Sequence, residues 1–204
     1  MSDEPALRLR RTPTYFALTS LAWLGGKTLF PLSVEGLAHI PREGAVVFAA
    51  NHQSFLDIPL LASLIPRHVS FVARDSLAQS RAMAFIMEQC GAVLVRRGEP
   101  DHAALRGMLA HLAVGDGICV FPEGTRSRDG SLGAFRRGAL MAARRGHAPV
   151  IPVGISGSFE AWPPGQKLPH PHRIRFRFGE AIDPSGGNAL EIVRARVATL
   201  IESR

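Results

Sequence analysis

The chain predicts an α/β fold: a single domain with a mixed, largely parallel central sheet flanked by helices, preceded by a short N-terminal amphipathic, interfacial helical segment. Three observations carry this. From Ser33 onward, short apolar runs alternate with segments of helical periodicity, the mark of an α/β domain. Two polar clusters follow directly on apolar runs, Asn51 to Asp57 after Ala45–Ala50 and Phe121 to Arg128 after Gly117–Val120. In open α/β sheets, strand ends of this kind are where ligands collect. The third is bulk: 204 residues, 46% hydrophobic and 20% charged, suit one ordered domain with a substantial core.

Strands are expected at 33–37, 45–50, 69–73, 92–96, 117–121, 149–155 and 173–179, and helices at 55–64, 77–89, 102–114, 135–145 and 188–202. Leu105, Met108, Leu109 and Leu112 recur at helical spacing, as do Leu190, Val193, Val197, Leu200 and Ile201, which marks core-facing stripes. The proline-rich stretch 159–171 reads as a long loop. Its neighbours His170 and His172 lack an acid or cysteine to complete a metal site.

The first 32 residues form a unit of their own, with the main domain at 33–204. Arg8, Arg10 and Arg11 precede an apolar stretch with Tyr15, Phe16, Trp23 and Phe30. This stretch is shorter than the ~20 residues a spanning helix needs. No small-residue cleavage site marks a signal peptide. An interfacial helix and an ordinary core helix both remain open, and the mix of arginine and aromatics favours the first.

The formal charge is +7, and among the basic residues only Lys27 and Lys167 are lysines. A basic surface attracts nucleic acid, anionic lipid or phosphorylated substrates, and arginine's planar fork suits phosphate. No nucleic-acid-binding motif is present, and one tyrosine offers little for base stacking. Cys90 and Cys119 lie among apolar residues without metal-ligand spacing, as core thiols of a reducing compartment do.

His52 and Asp57 are the candidate chemistry of the first cluster. Imidazole titrates near neutrality, and a carboxylate on one ring nitrogen fixes the tautomer and strengthens the other as a base. The bland alternative is a capping box, Ser54-Phe55-Leu56-Asp57, with the serine capping the helix and the acid capping back. In the second cluster Glu123 and Arg126 suit a structural salt bridge. Against this, Pro122 and Gly124 tighten the loop, and Thr125, Arg126, Ser127 and Arg128 offer donors to an anion. Phe135-Arg136-Arg137-Gly138 stands at a helix start and Arg96-Arg97 at a strand end, so several arginine-bearing ends converge as a bound phosphate would require.

Together these segments resemble the glycerolipid acyltransferase family that includes bacterial 1-acyl-glycerol-3-phosphate acyltransferases. Asn-His-x-Ser-x-x-Asp stands complete at Asn51 to Asp57, and Phe-Pro-Glu-Gly-Thr-Arg-Ser at Phe121 to Ser127. A Gly and apolar strand ending in arginine matches Gly91 to Arg97, and an apolar stretch around a proline matches Val150 to Val153. Arg96 replaces an aspartate, Arg136 a lysine, and Arg74 the lysine common after the third strand, with charge kept at the last two.

The resemblance implies acyl transfer from a thioester, acyl-ACP or acyl-CoA, to the hydroxyl of a lysophospholipid acceptor, with 1-acyl-glycerol-3-phosphate foremost. His52 is then the base and Asp57 its orienter. Glu123, with Gly124 and Thr125 beside it, orients the acceptor, and Arg126, Arg97, Arg74 and Arg136 serve its phosphate. Backbone amides at Ile151 and Val153 are the candidate oxyanion donors. No metal or organic cofactor is required. The expected setting is an anionic membrane surface, held peripherally on the cytoplasmic face of the bacterial inner membrane. Another lysolipid acceptor, a lyso-aminolipid included, and a non-catalytic basic membrane module are the alternatives.

Overall fold

In the computed structural model, residues 12–75, 80–95 and 102–203 are described. Seven strands form one sheet: β1 Leu32–Glu35, β2 Val46–Ala50, β3 Val69–Arg74, β4 Val93–Val95, β5 Gly117–Val120, β6 Val150–Ser156 and β7 Ile174–Phe178. Their order is β1-β7-β6-β2-β5-β3-β4, and among the described residues β6–β7 is the only antiparallel pair of neighbouring strands. The mixed, largely parallel sheet is thus as expected.

Every residue of β2 is buried, because helices cover both sheet faces. Val46, Phe48 and Ala50 join one core cluster, Val47 and Ala49 the other. Burial on both faces explains why this strand reads as a continuous apolar run rather than an alternating one. The first cluster packs Phe48, Phe71, Ile151 and Phe176 beneath α2 (Asp57–Leu64). The second joins Ile118 and Val120 to Met108 and Leu112, from the expected stripe of His102–Ala113, and to Val193 and Val197 of Ala189–Glu202.

The N-terminal segment forms α1, Pro13–Leu29, capped by Thr12, whose hydroxyl accepts from the Tyr15 amide at 3.0 Å. This helix runs unbroken through Gly25-Gly26. A Cβ on Gly26 would overlap the Leu60 side chain, so glycine here permits close packing of α1 on α2. Tyr15 is buried against His68, and its hydroxyl accepts from the Val69 amide at 3.4 Å. Phe16, Leu21, Trp23, Leu24 and Leu29 stay exposed. One face of the helix thus lies in the core, as in an ordinary core helix, and the other is apolar and exposed. Phe30 already belongs to the core, so the boundary drawn after residue 32 falls at the first residue of β1. Among the described residues no helix is long and apolar enough to cross a membrane.

The remaining helices are α3 Arg81–Gln89, α4 His102–Ala113, α5 Gly138–Arg145, the four-residue α6 Ser158–Ala161, and α7 Ala189–Glu202. Three starts differ from expectation by two residues or more. The helix expected from 77 begins at Arg81, where the Ser80 hydroxyl caps it by accepting from the Met83 amide at 3.2 Å; residues 77–79 lie outside the described residues. The helix expected from 55 begins at Asp57, because the chain before it is engaged by side chains instead of helical bonds. The helix expected from 135 begins at Gly138. Phe135 is buried, and the Arg136 amide donates to the Pro122 carbonyl at 2.9 Å, tying this stretch to the loop after β5.

Candidate active site

At the carboxyl end of β2 the backbone leaves the sheet, but the ladder continues for one more rung. The Asn51 carboxamide accepts from the Ile155 amide and donates to the Ile155 carbonyl, both at 2.8 Å, doing the work of a strand residue toward β6. His52 is thereby released from strand geometry at a fixed point. Its amide donates to Glu123 Oε1 at 2.9 Å and its carbonyl accepts from the Ser127 amide at 2.8 Å. Both partners lie in the loop after β5, the neighbouring strand.

The imidazole stacks on Phe121, with ring centroids 4.0 Å apart. Its Nδ1 meets Asp57 Oδ2 at 2.8 Å. Asp57 is fully buried while the His52 side chain is 14% exposed, so the carboxylate lies behind and the ring faces outward. The same Oδ2 accepts from the amides of Gln53 at 2.7 Å and Ser54 at 2.8 Å. Asp57 stands at the first helical position, where the helix dipole also favours a negative charge. A carboxylate with these donors takes the Nδ1 proton as a hydrogen bond and leaves Nε2 as the basic nitrogen.

Half of the capping box is present. Asp57 reaches back to the Ser54 amide, but the Ser54 hydroxyl donates to the Trp162 carbonyl at 2.8 Å and accepts from the Leu56 amide at 3.2 Å. Ser54 is thus a fastener between this loop and the segment after α6, and not the helix cap. Gln53 ties the same loop to the Gly130 carbonyl at 2.6 Å.

The resemblance implies an acceptor-orienting role for Glu123. In the structure both of its carboxylate oxygens accept backbone amides, His52 on Oε1 and Gly133 at 2.8 Å on Oε2. Burial pushes its carboxyl above the usual range, and these two amides act against that shift. Gly124 holds φ +72°, the left-handed turn that Pro122-Glu123-Gly124 requires, and a Cβ there would press on the Arg136 guanidinium. Thr125 and Arg136 are exposed at this rim. Arg126 places its guanidinium carbon 3.5 Å from the centroid of the Phe55 ring.

The amides of Ile151 and Val153 do not suit the expected oxyanion role. Both residues are fully buried in β6, in register with Phe48 and Ala50 of β2; on the other edge Val153 pairs with Phe178 of β7, and Val150, beside Ile151, bridges to Ile182. Amides inside a strand paired on both sides point in the sheet plane toward neighbouring strands. Arg97 lies outside the described residues, and Arg74 ends β3 without a described side chain. Sequence reasoning missed the Asn51 splice, the contribution of Trp162 and the platform under Arg126; only the aromatic character of positions 55 and 162 hinted at the last. Cys119 is buried and its thiol is pushed far up by burial and by Asp57, which removes it as a nucleophile.

The parallel-rich α/β sheet thus carries a carboxylate-held imidazole at the carboxyl end of β2, beside the arginine-bearing loop after β5. The chain belongs to the Acyltransferase family, whose model matches residues 31–156. It is 32% identical over 68% of its length to a chloroplastic 1-acyl-sn-glycerol-3-phosphate acyltransferase, LPAT1 of Arabidopsis thaliana, covering 39% of that protein. It is 30% identical over 81% of its length to a lyso-ornithine lipid O-acyltransferase of Pseudomonas aeruginosa, covering 60% of it. The chain thus spans about two fifths to three fifths of these curated relatives. The crystal structure of the 1-acyl-sn-glycerophosphate acyltransferase PlsC of Thermotoga maritima superimposes with a TM-score of 0.81 at 28% identity, over 95% of this chain and 82% of that one.

Proposed function

We propose that the chain is an O-acyltransferase that moves a fatty acyl group from a thioester, acyl-ACP or acyl-CoA, to the free hydroxyl of 1-acyl-glycerol-3-phosphate, giving phosphatidic acid. The observation that carries this reading is the 2.8 Å contact between His52 Nδ1 and the buried Asp57. An alcohol is a weak nucleophile. Nε2 of His52 takes its proton as the oxygen attacks the thioester carbonyl; the C–O bond forms, the C–S bond breaks, and the proton passes to the departing sulfur. Such assistance contributes about 100- to 10,000-fold. No enzyme nucleophile is needed, because the donor is already activated.

Glu123 holds the His52 backbone in place, and Arg126 and Arg136 receive the acceptor phosphate, with Arg97 and Arg74 as further candidates. The exposed apolar face of α1, with Lys27 4.8 Å over the Trp23 ring, attaches the protein peripherally to an anionic membrane surface. The cytoplasmic face of a bacterial inner membrane is the proposed location.

His52→Ala tests the reading. Purified protein supplied with acyl thioester and 1-acyl-glycerol-3-phosphate should form phosphatidic acid, and the variant should lose that activity while keeping its melting temperature. Wild-type turnover in the variant would sink the mechanism. A second acceptor, a lyso-aminolipid, is favoured by the similarity to the Pseudomonas aeruginosa relative. Turnover with lyso-ornithine lipid but not with the lysophosphatidate would select it.

A further inference from the structure

Phe55 stands out in the loop between the imidazole and its carboxylate: an apolar ring, 49% exposed, among residues otherwise spent on hydrogen bonds. Its face carries the Arg126 guanidinium at 3.5 Å. Its ring also meets Trp162, with centroids 5.6 Å apart and planes inclined at 48°. Trp162 is itself anchored. Its carbonyl accepts from the Ser54 hydroxyl at 2.8 Å and its indole N–H donates to the Gln166 carbonyl at 3.0 Å. The three side chains come from three elements: the loop after β2, the loop after β5, and the segment following α6.

A long arginine side chain has many rotamers, and ordering it on substrate binding costs entropy. Arg126 is half-buried, and a guanidinium over an aromatic face is held by the ring quadrupole, so less of that ordering remains to be done when an anion binds. Phe55 lies three residues after His52, on a loop clamped at both ends by Asp57 and Glu123. The Ser127 amide, next to Arg126, also donates to the His52 carbonyl at 2.8 Å, so two ties link the loop of the imidazole to the loop of the guanidinium.

We propose that Phe55, braced by Trp162, is a positioning residue that holds Arg126 at a fixed distance from His52, and so selects acceptors by the span between their phosphate and their reacting hydroxyl. This rests on the reading of Arg126 as a phosphate contact. Phe55 and Trp162 touch neither the transferred acyl group nor the proton.

Steady-state kinetics on Phe55→Leu, Phe55→Tyr, Trp162→Phe, Arg126→Ala and the Phe55→Leu/Arg126→Ala double variant test it, with acyl thioester and 1-acyl-glycerol-3-phosphate. Phe55→Leu should raise the acceptor KM about three- to tenfold, as expected for the loss of one such contact, with kcat and the donor KM little changed. Phe55→Tyr keeps the ring and should behave as wild type. The double variant should be no worse than Arg126→Ala alone, because the ring acts only through that arginine. Should Phe55→Leu fail to fold, Trp162→Phe leaves the loop intact and should raise the acceptor KM in the same direction by less.

A raised KM in Arg126→Ala with none in Phe55→Leu overturns the platform and leaves the phosphate reading standing. An unchanged KM in Arg126→Ala overturns the phosphate reading itself. Additive losses in the double variant, or a shifted donor KM in Phe55→Leu, would make Phe55 a direct substrate contact and also overturn the proposal.

Discussion

The chain contains a second histidine followed five residues later by an aspartate, His111 and Asp116, and the contrast with His52 and Asp57 is instructive. Both pairs close through Nδ1 and Oδ2, at 3.2 Å and 2.8 Å. The active-site pair straddles the start of a helix; the other straddles an end. Gly115, at φ +81°, donates to the Leu112 carbonyl and Asp116 to the His111 carbonyl, the 5→2 and 6→1 bonds of a Schellman motif closing α4.

Burial is reversed between them. At the active site the carboxylate is fully buried and the imidazole is 14% exposed; at the helix end the imidazole is 5% and the carboxylate 16% exposed. The buried Ser70 hydroxyl also faces His111 Nδ1, at 3.5 Å, so serine and aspartate share one nitrogen and no proton relay crosses that ring. The two sites also lie at opposite edges of the sheet, because α4 feeds into the start of β5 while His52 follows the end of β2. Spacing brings a pair together. Only an imidazole that faces outward can meet a substrate as a base; an enclosed one can only brace the fold.

Exchanging the two histidines for alanine breaks the comparison most sharply. His52→Ala should reduce turnover by about 100- to 10,000-fold with little loss of stability. His111→Ala should leave kcat unchanged and cost about 1–3 kcal/mol, a fall of several degrees in melting temperature. Comparable kinetic losses in both would erase the distinction.

Asp57→Asn should follow, with a smaller kinetic loss than His52→Ala, because the imidazole remains but its tautomer is no longer fixed. Thermal melting should fall too, since the carboxylate also serves two amides. Unchanged kinetics with lowered melting would reduce Asp57 to a helix-start residue. Glu123→Gln comes next. One amide of the pair would then face an N–H₂ group, and a displaced His52 should lower kcat by up to about 100-fold with acceptor KM little altered. A rise confined to KM would return Glu123 to the acceptor role. Smallest of all, Asp116→Asn should leave activity intact and change stability by less than about 1 kcal/mol, being partly exposed.

Sequence patterning made the sheet and its helices legible because β2, β5 and β6 are buried on both faces and read as apolar runs, while α4 and α7 carry clear stripes. Helix starts were harder. Phe55 and Leu56 have the composition of a first turn, but Ser54 and Asp57 spend their side chains elsewhere, and no local pattern reveals a partner as distant as Trp162. The His52–Asp57 pairing was readable from two residues; the use of Glu123 was not, because a carboxylate in a tight loop serves a substrate or an amide with the same sequence signature. The oxyanion expectation at Ile151 and Val153 meets a topological obstacle. The residues lie in a strand whose second edge is taken by later chain, β7 at Val153 and Ile182 at Val150.

Asn51 receives the Ile155 amide on a side chain, at the rim of the sheet, yet both residues are buried to within about 1%. That proton is protected only while the carboxamide stays seated, and the carboxamide belongs to the residue just before His52. Deuterium uptake at the Ile155 amide is therefore a clock for the loop, recording each excursion of His52 from its place without any substrate present.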